Sequence, residues 1–101
     1  MQNNSKNIRY VYLINRNKNY TFDVTKKHVE HLNKLENNNQ LVLCGPFTDY
    51  DGGMIIIKAE SIEDAKKIAE SDPFIIEGFS TYELRTLELS NKENNHLGVG
   101  Q

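Results

Sequence analysis

The sequence predicts one α+β domain in which an antiparallel four-stranded sheet carries two helices on a single face. Three observations predict it. Four short stretches are rich in β-branched and aromatic residues, two stretches repeat apolar residues every three or four positions, and their order along the chain is β-α-β-β-α-β. The 101 residues suit a single small module with one core. Strands and helices in that order give the ferredoxin-like arrangement.

Residues 1–6 are polar and without periodicity, and are expected to be a flexible leader to a domain spanning residues 7–89. Residues 8–14 (Ile-Arg-Tyr-Val-Tyr-Leu-Ile) read as the first strand, apolar on both faces. A polar, Asn-rich loop follows. A helix then begins between Thr21 and Thr25 and runs to about Asn37, because Val24, His28, His31, Leu32 and Leu35 recur at helical spacing. Asn37, Asn38 and Asn39 are suited to its C-terminus, since Asn tolerates a left-handed cap. Residues 40–44 (Gln-Leu-Val-Leu-Cys) read as a strand stopped by Gly45-Pro46. The turn-rich 47–53 connection leads to a third strand at 54–58, apolar on both faces.

The second helix opens at Ser61, a good N-cap with Asp64 three residues on. Ile62, Ala65, Ile68 and Ala69 form its apolar face, and Pro73 ends it. Asp72 is thereby expected at a helix C-terminus, where the dipole disfavours a carboxylate by about 0.3–1 kcal/mol. Such an acid needs a compensating partner, and His28, on the inward face of the first helix, is the candidate. Residues 75–78 connect to a last strand at 81–89, and residues 90–101 are expected to be a flexible tail.

Composition narrows the function. The net charge of -2 with interspersed signs offers no basic footprint for nucleic acid and no polybasic membrane patch. The third strand also lacks the aromatic and basic residues with which RNA-recognition modules of this strand order stack bases. No apolar run has the length of a membrane span, and the lone Cys44 excludes an internal disulfide, so a cytoplasmic protein is expected. Three strands apolar on both faces need a cover on the side without helices. A homodimer joined through its sheet faces supplies one.

The chemistry-bearing candidates are few. A carboxylate that holds one imidazole nitrogen leaves the other free for general acid–base work, so His28 and Asp72 are the candidate catalytic pair. A half-buried His simply hydrogen-bonded to an acid is the plain structural alternative. His31 with His28 lacks a third ligand for a metal, and Asp49 to Gly52 lacks the later acceptors of a calcium loop, so no metal is assigned. His96 is read as solvated. Gly45 and Pro46 can admit a ligand close to the backbone. Cys44 is read as a small buried side chain with no adjacent base.

These residues also resemble a family. His28 with Leu32, the 41–44 strand ending in Gly45-Pro46, Asp-x-Asp-Gly-Gly at 49–53, Ser-x-Glu-x-Ala at 61–65, and Asp72-Pro73-Phe74 followed by Gly78 together resemble the YciI-like (YCII-related) proteins. The resemblance runs from about residue 8 to 87 and implies a dimeric α+β barrel with an active site on His28 and Asp72. Gly45, Pro46 and Phe74 are the expected substrate contacts. Thr25 stands where the family often has an Arg, which removes an anion anchor. Dehydrochlorination and lactone isomerisation among similar proteins imply elimination or isomerisation on a small cyclic or carbonyl-bearing metabolite, without a cofactor. The alternative is a non-catalytic module that holds a small molecule in the same cleft.

Overall fold

The structure, a computed structural model, describes residues 7–98. Its strands are β1 (Ile8–Arg16), β2 (Leu41–Pro46), β3 (Gly52–Ile57) and β4 (Ser80–Glu88), and its helices are α1 (Phe22–Asn37), α2 (Ile62–Glu70) and α3 (Pro73–Ile76). The sheet order is β2-β3-β1-β4 with every neighbouring pair antiparallel, the ferredoxin-like topology. Nine residues long and central, β1 pairs with β3 on one side and β4 on the other.

Strand alternation sorts the core. Tyr10, Tyr12 and Ile14 of β1 and Ile55 and Ile57 of β3 share one face, and all are buried. Val24 and Leu35 of α1, Ala65 and Ala69 of α2, and Phe74 of α3 close over that face. The alanines let α2 lie close to the sheet. The opposite face carries Val11, Leu13, Met54 and Ile56, continued on β2 by Leu43, which is 50% exposed. No helix of the described residues covers it.

Local chemistry explains the element ends. Thr21 caps α1 by accepting from the Val24 amide, and Asn39 adopts the left-handed conformation (φ 60°) expected after the helix. Ser61 caps α2 by accepting from the Asp64 amide. Gly52 and Gly53 lie where backbones approach closely. A side chain at Gly52 would run into the Ile14 carbonyl, and one at Gly53 would meet the Gly45 carbonyl at 2.8 Å.

Three expectations are corrected. First, β2 does not stop at Gly45-Pro46 but runs through it, with Gly45 opposite Met54 and Pro46 opposite Gly53. At a sheet edge the missing proline N–H can face outward without breaking the ladder. Second, Asp72 is not left at the unfavourable end of a helix. With α2 over at Glu70, Asp72 begins a new helical turn as the N-cap of α3, accepting from the Phe74 amide at 3.0 Å, with Pro73 in the first turn that suits proline. Third, part of the expected connection at 75–78 is helical. Beyond β4, Lys92–Leu97 holds short 3₁₀ turns broken by a kink, with Asn95, His96 and Leu97 at positive φ, and Asn91 and Asn94 close its start with a reciprocal capping box, although the sequence there has no periodicity. Residues 1–6 and 99–101, the expected leader and the end of the expected tail, lie outside the described residues.

Candidate active site

Four residues after the buried Val24, on the inward side of α1, stands His28, whose side chain is 13% exposed. Asp72 lies beneath it and is fully buried. His28 Nδ1 and Asp72 Oδ1 are 2.8 Å apart. Because a carboxylate only accepts, Nδ1 carries the hydrogen and donates. In the neutral ring Nε2 is then the nitrogen with a free lone pair.

Two further donors hold the acid. The Phe74 amide donates to Oδ1, and the Tyr12 hydroxyl donates to Oδ2 at 2.9 Å. Both carboxylate oxygens are therefore engaged, and the group cannot swing without losing bonds on two sides. Burial pushes the Tyr12 phenol well above its ordinary range, and the charge of Asp72 and the hydrogen bond to it add to the effect, so Tyr12 keeps its proton. With that hydrogen committed to Asp72, His31 Nε2, 3.3 Å from the phenol oxygen, acts as the donor to it. Burial lowers the His31 pKa against the opposing pull of Asp72.

A cavity of about 450 Å³ opens beside this pair. One wall is a stack of three rings: His28 lies 4.0 Å from Phe74 at 16° between planes, and Phe74 lies 3.7 Å from Tyr20 at 9°. The outer rings sandwich Phe74, so His28 is braced by stacking as well as by its hydrogen bond. Tyr20 is anchored in turn through its hydroxyl, 2.7 Å from Ser80 Oγ. Ile14, Leu32 and Ile55 make much of the remaining lining apolar.

Of the residues singled out in the sequence, His28, Gly45, Pro46 and Phe74 line this one cavity. Asp72 does not line it and stands behind His28. Cys44 corrects its expectation, because it is exposed on the edge strand and faces the cavity. Partial burial raises its thiol pKa, which keeps the sulfur protonated and poorly nucleophilic. His96 is exposed as expected, with Nδ1 3.2 Å from Ser90 Oγ.

Sequence reasoning missed Tyr12 and Tyr20, and noted Thr25 only as the place of a missing Arg. For Tyr12 a signal existed. A tyrosine alternating with Tyr10 and Ile14 on the helix-covered face of a central strand must find a partner for its hydroxyl.

Comparison with known proteins agrees with this fold. The YCII-related domain matches residues 8–88. The uncharacterized protein YjpA of Bacillus subtilis (strain 168) is 31% identical over 80 residues, covering 79% of this chain and 94% of that protein. Among solved structures, the 5-chloro-2-hydroxyhydroquinone dehydrochlorinase TftG of Burkholderia phenoliruptrix AC1100, in complex with 2,5-dihydroxybenzoquinone, superposes with a TM-score of 0.53 at 20% identity. That match covers 83% of this chain and 97% of that one, and at this identity it speaks for the fold alone. The match over residues 8–88, together with the YjpA relationship, shows that the chain belongs to the YCII-related family.

Proposed function

We propose that this protein is a small cofactor-independent enzyme that eliminates a leaving group from, or isomerises, a cyclic or carbonyl-bearing metabolite, with His28 as general base and acid. The observation that carries the reading is the 2.8 Å contact between His28 Nδ1 and a fully buried carboxylate beside a cavity that His28 lines. His28 Nε2 takes the proton from a carbon next to the carbonyl. The electron pair left behind forms a carbon–carbon double bond. In elimination the leaving group departs from the neighbouring carbon with its bonding pair; in isomerisation His28 returns the proton at a different carbon. Asp72 steadies the imidazolium, and Tyr12 and the Phe74 amide steady Asp72.

TftG, similar in fold, supplies the first compound to try. Chloride release from 5-chloro-2-hydroxyhydroquinone, followed with purified protein, is expected to exceed the no-enzyme rate. His28→Gln is expected to lower turnover by about 10²-fold or more, the range for a lost general base. Full turnover by that variant on any accepted substrate would end the assignment.

A second reading rests on a specific observation. Asp72 already serves as the N-cap of α3, so its bond to His28 could simply fasten α1 to that turn. The protein would then be a binding module in which His28→Gln weakens ligand binding and no bound compound is converted. In either reading we propose a homodimer joined through the uncovered sheet face and a cytoplasmic setting, the latter supported by the single free thiol.

A further inference from the structure

We infer that Thr25 sets the ligand preference of this cavity, and that the preferred ligand is a neutral planar ring with hydroxyl donors, not a carboxylate or a phosphate. The inference rests on the proposed reading of His28 only in taking its ring as neutral.

The polar inventory of the cavity carries the argument. No Lys or Arg lines it. Arg16, whose guanidinium lies 5.6 Å from the Tyr20 ring centre, is already paired with Asp51 at 2.7 Å. The start of α1 offers no anion site either, because Thr21 takes the Val24 amide and Asp23 stands in the first turn. An anion entering this space would lose its hydration with no opposite charge to replace it.

Apart from the protonated Cys44 thiol, a weak donor, what the cavity presents is acceptors. The Thr25 hydroxyl spends its hydrogen on the Thr21 carbonyl at 2.9 Å, so toward any other group it can only accept. His28 spends its Nδ1 hydrogen on Asp72 and likewise accepts at Nε2. Positions 25 and 28 are neighbours on one helix face, with Cβ atoms about 5–6 Å apart. The Tyr20 hydroxyl is engaged by Ser80. Two acceptors one turn apart, beside stacked rings and aliphatic side chains, match a flat apolar ring that brings two O–H donors. A ligand lacking those hydrogens would leave both acceptors unpaired once water is displaced.

The test is binding and requires no turnover. Wild-type protein is titrated with the three benzenediols, their dimethyl ethers and benzoate, followed by the backbone amide resonances of residues 20–32 in two-dimensional NMR. At least one benzenediol is expected to bind at least tenfold more tightly than its dimethyl ether and than benzoate. Thr25→Val, close in shape but without an oxygen, is expected to lose about three- to tenfold in diol affinity, the worth of one hydrogen bond. Thr25→Ser keeps the hydroxyl and is expected to restore wild-type affinity. Benzoate or an ether binding as well as the diols, an unchanged diol affinity in Thr25→Val, or no diol binding at millimolar concentration would each overturn the inference. A protein that binds diols in this pattern but converts nothing would instead count against the enzymatic reading alone.

Discussion

Tyr12 supports this site from behind, without lining the cavity. It packs in the core with no exposed surface, and its hydroxyl is the partner of the Asp72 oxygen that His28 does not use. Tyr12→Phe keeps the ring and removes that donor. Asp72 Oδ2 is then left buried and unpaired, which costs about 1–3 kcal/mol, more when the acceptor is charged. Urea unfolding at neutral pH is expected to show a loss of at least that size with an unchanged m-value. A loss below about 0.5 kcal/mol would mean that water or a shifted side chain replaces the phenol. The carboxylate itself shows how one residue serves two scales, since Asp72 starts a helical turn and orients an imidazole with the same oxygen.

Between elements, the contact of α2 with β4 is the one that pH should report. The Tyr82 hydroxyl donates to Glu70 at 2.7 Å, and its ring meets Tyr12 edge-on at 6.4 Å. Burial first, then the bond to Glu70 and its charge, push the Tyr82 pKa up to about 12 from 10.0. The folded state therefore holds this proton more tightly than the unfolded chain. Its contribution to stability is complete below pH 10 and is lost as pH rises through about 12. Denaturant midpoints measured between pH 9 and 12 are expected to fall across that window. The fall should be shallower in Tyr82→Phe, and equal slopes would show that the phenol does not titrate differently on folding.

For the whole molecule, the uncovered sheet face is what supports the proposed assembly. Val11, Leu13, Met54 and Ile56 lie side by side on it, with Leu43 half exposed at the edge. An apolar patch of this kind, bordered on β4 by Glu83 and Arg85, is costly in water, and a second copy is the cover we propose for it. Light scattering at micromolar concentration is expected to give twice the 11.6 kDa chain mass. Ile56→Lys, which places a charge in the middle of that face, is expected to give a monomer with an unchanged far-UV circular dichroism spectrum. A monomeric wild type would remove the dimer from the proposal and leave the fold intact.

Element order, the inward face of α1, the cap at Ser61, and the pairing of His28 with Asp72 were all legible in the amino-acid sequence. Each is local or periodic information: side-chain spacing, cap residues, and an acid whose position demanded a partner. Even so, the reason first found for that demand was the wrong one, because the chain turns at Ser71 and makes Asp72 an N-cap. Tertiary structure alone decided that Tyr12 closes the second oxygen of a residue 60 positions away, and that β2 continues through Pro46. It alone stacked Tyr20, Phe74 and His28 into one wall. Such contacts join residues whose neighbours in the chain say nothing about each other, and they exist only once the packed sheet and helices have set the distance between them.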